Sequence, residues 1–348
     1  MKTAVVILNW NTKDYLSRFL PPLLQSCSGT DSCVIVADSA STDGSIEFVR
    51  TEFPQVRTIA LDCNYGFTGG YNRALDQVEA EYYVLINSDI EVSEGWLEPL
   101  VRWMDENPGC GACSPKLHSW QDRDSFEYAG ACGGYIDRFG YPFCRGRVLG
   151  RVEKDCGQYD SPASVLWASG ACLMTRSSLW KSLGGLDDRF FAHMEEIDYC
   201  WRLNLMGYKV NVVPESVVYH LGGGTLPQNS PWKLQLNYRN NLLLLDNNLA
   251  ATIGKRRASV RIFIRNLLDG GSAIVYLLSG KKDYFNAVLN AHRDYRRLRS
   301  GKSQRTSGNS CGFGSGKALS FLGLCILPPA FLKKDKIFVY LKRYEDNH

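Results

Sequence analysis

The 348-residue chain has no apolar run long enough to cross a bilayer. Its best candidate, "LSFLGLCILPPAFL" at residues 319–332, is short and broken by Pro328 and Pro329. Spanning takes roughly 20 apolar residues. No secretory leader is expected either: in "MKTAVVILNWN" the apolar run stops after five residues at Asn9, Trp10 and Asn11. An oxidising compartment is therefore not indicated. The 12 cysteines are expected to be reduced and mostly small buried packing residues. Cys110 and Cys113 form a CxxC, with Cys132, Cys144 and Cys156 following at intervals of twelve. A zinc site needs four convergent ligands, and no second close pair is present. "GSGKA" at residues 314–318 is no phosphate loop. It has no glycine five residues before Gly316 and no Ser or Thr after Lys317.

The net charge of +4 hides an asymmetry. Residues 1–250 carry 21 Lys and Arg against 30 Asp and Glu, whereas residues 251–348 carry 19 against 6. A basic tail on an acidic body suits an anionic membrane surface or nucleic acid. Its basic and aromatic residues are not interleaved as in a nucleic-acid module, so no nucleic acid is expected.

With 45% hydrophobic residues, the chain can bury the core of one large or two medium domains. Short apolar runs at residues 4–8, 34–37, 56–60 and 83–86 alternate with helical spacing at 15–24, 45–52 and 71–78. This pattern predicts an α/β fold with a doubly wound, mostly parallel sheet. In such a sheet ligands lie beyond the carboxyl ends of the strands. The residues there are Asn9, Asp38, 64–72 and 87–91. Residues 110–164 are rich in Gly, aromatics and charge, and read as irregular strands and loops. A helix is predicted over 195–206, strands over 209–213 and 217–220, helices through 232–298, and a Gly/Ser-rich connector over 300–316.

Four stretches carry chemistry. In "VADSASTDGS" Asp38 ends a strand, where its carboxylate either accepts from a nucleobase or ribose or caps a turn; Asp43 reads as a cap. In "NYGFTGGYNRAL" three glycines before a helix allow close backbone approach to an anion. "YYVLINSDIEV" is a buried strand that stops at Asn87-Ser88-Asp89, with Glu91 following. Carboxylate and amide oxygens there suit a hard divalent cation, with Asp89 the natural ligand and Asn87 or Glu91 beside it; an Asx turn is the plainer reading. "HMEEIDYCWR" crowds Glu195, Glu196 and Asp198 at a helix start. Mutual repulsion there raises a carboxyl pKa and favours a general base; alternatively Asp198 pairs with Arg202 at i+4. His220, at a strand end, is either structural or a metal ligand.

These pieces occur in the order "VVILNWN", "ADSASTDGS", "NYGFTGGYNRAL", "LINSDIEV", "SGACLMTRSSLWKSLGGLDDRFFAHMEEIDYCWR", "GYKV" and "PESVVYHLGGGT". In this the chain resembles the family 2 glycosyltransferases of GT-A fold, over roughly residues 3–245. It most resembles the rhamnosyltransferase-like branch that builds bacterial surface polysaccharides. The resemblance implies an inverting transfer from a UDP- or dTDP-linked sugar to a saccharide or lipid-linked hydroxyl. It implies that Asp38 reads the base, with Asn9, Gly66, Asn72, Asn87, Asp89 and Gly170 around the donor. It implies Mg2+ or Mn2+ on Asp89, His220 and Asn87, and Glu196 as catalytic base with Glu195 and Asp198 as rivals. Three positions depart from the family pattern: Ser39 follows Asp38 in place of Asn, Asn87 replaces Asp, and Glu196 replaces Asp. The expected organisation is a catalytic domain at residues 1–230, with its nucleotide half to about 110 and its acceptor half over 111–230. A helical extension at 231–299, a linker at 300–317 and a basic, apolar tail at 318–348 follow. The basic region 251–348 as a whole, with its amphipathic stretches and its apolar 319–332 segment, suits peripheral docking on the inner face of the cytoplasmic membrane.

Two other functions fit parts of the pattern. A sugar-phosphate nucleotidyltransferase uses a related sheet but wants a glycine-rich triphosphate loop, and "ILNWNTKDY" has no glycine. A catalytically inactive sugar-nucleotide binder would keep the donor residues without turnover.

Overall fold

The computed structural model describes residues 1–222, 230–301, 322–326 and 337–347. All but the first two residues of the connector expected over 300–316, the "GSGKA" stretch and most of the apolar 319–332 segment lie outside the described residues.

The first half alternates as its periodicity predicts: β1 (Thr3–Asn9), α1 (Lys13–Cys27), β2 (Ser32–Asp38), α2 (Ser45–Glu52), β3 (Arg57–Ala60), α3 (Gly66–Leu75), β4 (Tyr82–Ile86), β5 (Ile90–Val92), α4 (Leu97–Glu106) and β6 (Cys110–Ser119). Four short strands follow: β7 (Gly134–Ile136), β8 (Pro142–Cys144), β9 (Arg147–Val148) and β10 (Arg151–Val152). They form a separate antiparallel sheet. Next come β11 (Ala163–Val165), β12 (Cys172–Arg176), α5 (Ser177–Leu183), α6 (Glu195–Leu205) and β13 (Lys209–His220). The main sheet runs β11-β13-β6-β12-β4-β1-β2-β3, with β5 beside β13. The block β4-β1-β2-β3 is parallel, β12 is antiparallel to both its neighbours, and β6 and β13 are parallel to each other. The central strands are buried on both faces, as their unbroken apolar runs require.

Two sequence expectations change. The strands expected at 209–213 and 217–220 are one strand, β13, with an irregularity between Val213 and Val217. Pro214 lies there, and a residue without an N–H is tolerated in a sheet at such a bulge. The helix expected at 71–78 begins at Gly66, so the three glycines lie inside α3 rather than before it.

In the C-terminal part α7 (Pro231–Ile253) packs against α6, and α8 (Lys255–Leu278) and α9 (Lys282–Leu298) pack against α7; Glu345 of α10 (Ile337–Asn347) pairs with Arg145 beside the small sheet. Ser230 caps α7 by accepting from the Lys233 amide at 3.1 Å, and Pro231 follows at the first helical position. The described piece of the apolar tail is inside the protein. Leu322, Leu324 and Ile326 are buried, and the Ile326 amide donates to Asp137 at 3.1 Å. That piece of the apolar segment is therefore covered by protein.

Candidate active site

The carboxyl ends of β1 and β2 pair Asn9 with Asp38 in register. The Asn9 amide donates to Asp38 Oδ1 at 2.6 Å and to Ser41 Oγ at 3.1 Å, and the Ser41 amide donates to Asp38 Oδ2 at 2.9 Å. Asp38 thus anchors the 39–43 turn, and it is buried. Asp43 joins two helix starts, accepting from the amides of Lys13 at 2.9 Å and Ser45 at 3.0 Å. Thr12 reaches across to Ser88 at 2.9 Å, tying this corner to the 87–89 turn.

The pairing of β5 with β13 sets His220 opposite Ile90 and so beside Asp89. His220 Nε2 lies 3.2 Å from Asp89 Oδ1 and 3.5 Å from the Asn87 amide nitrogen, and Nδ1 lies 3.2 Å from Glu127 Oε1. Burial opposes a charge on this imidazole, but the Glu127 and Asp89 carboxylates outweigh it and hold His220 up at about 10. Burial likewise opposes ionised Asp89, yet its bond to His220 holds it below the usual carboxylate range. A metal-binding histidine is oriented by a carboxylate behind its other ring nitrogen, as Glu127 stands here, so the residues fit a divalent cation that displaces the Nε2 proton. Among the described residues no three acidic, His or Cys side chains converge as a ready ligand set. The chain offers two strong donors, and a hard cation would complete its shell with phosphate and water oxygens. Glu91 is not available to it, being held by Trp120 and Arg123 at 2.7 Å each.

The Asn87 amide donates to the Ala171 carbonyl at 2.9 Å, which links the 87–89 turn to the 169–171 turn. A Cβ on Gly170 would lie 3.4 Å from Glu196 Cβ, so this turn abuts the start of α6. There Glu195 is buried, Glu196 is half-buried, and the Oε2 atom of each has no hydrogen-bond partner. Burial pushes Glu196 up to about 7. Burial, then the charge of Glu196, pushes Glu195 well above the carboxylate range. Asp198, one turn on, differs: it accepts from Arg202 at 2.8 Å, Asn247 at 2.9 Å and Asn248 at 2.8 Å. The i+4 pairing with Arg202 is its role, and it is no rival base.

The loop entering α6 is strained. Phe191, His193 and Met194 have φ of +65°, +70° and +71°, a conformation that costs roughly 1–3 kcal/mol per residue. Asn240 of α7 holds it, its amide lying 2.7–3.0 Å from the carbonyls of Phe190, Ala192 and His193. The other support is α3, whose Phe67 and Thr68 amides donate to the Phe191 carbonyl at 2.8 and 3.2 Å. The helix end expected to receive an anion is therefore occupied by backbone. The glycines serve packing: a Cβ on Gly66 would meet Phe191 at 2.4 Å, and one on Gly70 would meet Leu8 at 2.8 Å. Asn72 is also no ligand-facing group. It is fully buried and bonded to both backbone groups of Leu186 and to Asp188.

Sequence reasoning missed Glu127, His193 and Asn240. Burial, aided by the charge of Lys233, holds the His193 imidazole down at about 4. The one available signal was the run of amides in the Leu-rich stretch "NYRNNLLLLDNNLA", since polar side chains inside a buried helix need partners. A cleft of about 320 Å3 lined by Lys2, Asp31, Arg102 and Asp105 lies at the opposite, amino end of the strands.

Residues 4–138 match the Glycosyl transferase family 2 model. Over 234 residues the chain is 27% identical to the N-acetylglucosaminyl-diphospho-decaprenol L-rhamnosyltransferase of Mycobacterium tuberculosis, covering 62% of this chain and 75% of that protein. It is 23% identical to the dTDP-rhamnosyl transferase RfbF of Shigella flexneri, covering 62% and 72%. Among solved structures, Staphylococcus aureus TarS 1–349 superposes with a TM-score of 0.55 at 16% identity, covering 100% of this chain and 92% of that one. The mannosyltransferase PcManGT of Pyrobaculum calidifontis, solved with GDP-Man and Mn2+, gives 0.53 at 14%, covering 99% and 84%. These structures share the GT-A fold, a mostly parallel sheet with helices on both faces. Residues 4–138 are thus a family 2 glycosyltransferase domain on a GT-A fold, and over about three fifths of its length the chain is similar to rhamnosyltransferases.

Proposed function

We propose that the chain moves a sugar from a UDP- or dTDP-linked donor to a hydroxyl of a saccharide or lipid-linked acceptor, with inversion at the anomeric carbon. The setting is cell-surface polysaccharide synthesis at the inner face of the cytoplasmic membrane. Residues 1–230 are the catalytic unit, with the nucleotide on the side of residues 1–110. One observation carries the proposal: Glu196, half-buried and with no partner for its Oε2, abuts a turn hydrogen-bonded to the residue two before Asp89.

In this reading the Asn9–Asp38 corner shapes the nucleotide end, and Asp38 gives up an internal partner to meet the base. Asp89 and His220, with Asn87 beside them, are the side chains that would hold Mg2+ or Mn2+, whose chemistry is to neutralise the departing diphosphate. Glu196 accepts the proton of the acceptor hydroxyl, whose oxygen attacks the anomeric carbon from the face opposite the diphosphate. A carboxyl held at about 7 suits a base working near neutral pH. The strained 190–194 loop fixes where that carboxylate lies, and positioning matters steeply in such a step.

A panel of nucleotide sugars assayed for nucleoside diphosphate release, with and without Mn2+, tests the proposal. Release that depends on acceptor and disappears in Glu196→Gln is expected. Pyrophosphate release from a nucleoside triphosphate would instead establish a nucleotidyltransferase. Donor binding without turnover across the panel would leave an inactive binder.

A further inference from the structure

Helix α8 is inside out. Its protein-facing side has a polar centre between the buried Ala258 and Ala273: Arg265 and Asp269 are 5% and 1% exposed and pair at 2.7 Å. Arg265 also donates to the Phe139 carbonyl at 3.1 Å, Asp269 faces His292 at 3.3 Å, and Ser272 meets Tyr238 at 2.7 Å. Its outward side is apolar: Val260, Phe263, Leu267, Ile274 and Leu278 are 54%, 63%, 60%, 56% and 82% exposed. Steps of three, four and seven residues keep them on one stripe, about 27 Å long at 1.5 Å per residue. An ordinary surface helix buries its apolar stripe, and a contiguous exposed one marks an interface.

Charge identifies the occupant. The helix's one acid, Asp269, faces inward. Lys255, Arg256 and Arg257 stand exposed at its start, and Lys281 and Lys282 stand just past its end, where Asp283 is the one acid. A second copy of the chain does not suit this face, because pairing α8 with itself in either direction sets cations against cations. An anionic surface neutralises both ends at once. No described helix is long and apolar enough to cross a membrane, so the contact lies along the surface.

We propose that the outer face of α8 docks the protein on an anionic phospholipid bilayer. The apolar stripe enters the headgroup boundary, and the cations at both ends meet lipid phosphates. This deepens the membrane placement proposed above. It is independent of the transfer chemistry.

The test uses the full chain with vesicles of phosphatidylglycerol and phosphatidylcholine, against phosphatidylcholine alone, read by co-sedimentation. The wild-type chain is expected to bind the anionic vesicles at least tenfold more tightly. The triple variant F263Q/L267Q/L278Q is expected to lose at least tenfold of that binding with an unchanged melting temperature. R256Q/R257Q/K281Q is expected to lose several-fold and most of the salt dependence. Three results overturn the proposal: the apolar triple variant holds anionic vesicles as well as wild type; it turns a dimer into a monomer in light scattering while vesicle binding persists; or it melts earlier while binding persists, which assigns the face to cover by the chain's own residues. Vesicle binding is read without turnover, so an inactive protein that still docks sinks the transfer proposal alone.

Discussion

The two sides of the strand-end rim treat their polar atoms differently. At the β1–β2 corner Asn9, Asp38 and Ser41 satisfy one another and Thr12 ties them to Ser88, so the carboxylate is paired although the buried Ser39 hydroxyl beside it is not. At the start of α6 the Oε2 atoms of Glu195 and Glu196 and the Nε2 of His193 are enclosed without partners. A buried group left unpaired costs about 1–3 kcal/mol, so such a cluster is stable only because surrounding contacts enforce it. Under the proposed function a nucleotide base at the first corner has to displace a partner of Asp38, whereas an acceptor at the second meets carboxyl oxygens that have none. Asp198 shows the contrast within a single helix, because Arg202, Asn247 and Asn248 satisfy its carboxylate completely.

The sharpest way to break this comparison is Glu196→Gln. As a lost general base it is expected to lower turnover by about 10²–10⁴-fold. Melting should be unimpaired at pH 4 and higher than wild type at pH 8, where the wild-type carboxyl is charged in a site that disfavours it. Equal turnover with intact folding would remove Glu196 from the chemistry.

Asp198→Ala should do the reverse. Stranding Arg202 and two amides in the interior is expected to cost about 3–5 kcal/mol of stability in denaturant titration, with turnover per folded molecule little changed. Asp89→Ala is expected to lower turnover by roughly 10²–10³-fold, as for loss of a group that stabilises developing charge. Near-wild-type diphosphate release would take Asp89 out of the site.

The smallest effect is graded with pH. Glu196 acts deprotonated and is held at about 7. Turnover should therefore rise about tenfold per pH unit below 7 and level off above it. Stability should move the opposite way. The folded state keeps this proton where the unfolded chain, at about 4.3, has lost it, so stability falls as pH rises from about 4.3 to 7. A turnover profile flat from pH 5.5 to 8 would break the assignment.

The alternation of the first half was legible because parallel strands buried on both faces read as continuous apolar runs between amphipathic helices. The positions of Asn9, Asp38 and Asp89 followed from it, as strand ends. The glycines of "NYGFTGGYNRAL" misled because close backbone approach leaves the same trace whether the approaching atom is a ligand or, as here, Phe191. Asn72 misled similarly, since a buried amide clamp and a ligand-facing amide are the same residue type. Glu127 had no local signal, because it comes to His220 through an irregular stretch without periodicity.

The sequence by itself determined the order of the elements, the acids at the strand ends and the basic character of the C-terminal third. These are local properties, set by side-chain period and charge along the chain. Only tertiary structure decided which of three neighbouring acids stayed unpaired, that His220 sits between two carboxylates, and that α8 turns its apolar face outward. Those outcomes depend on partners remote in the chain, and burial and pairing are fixed only when distant segments meet.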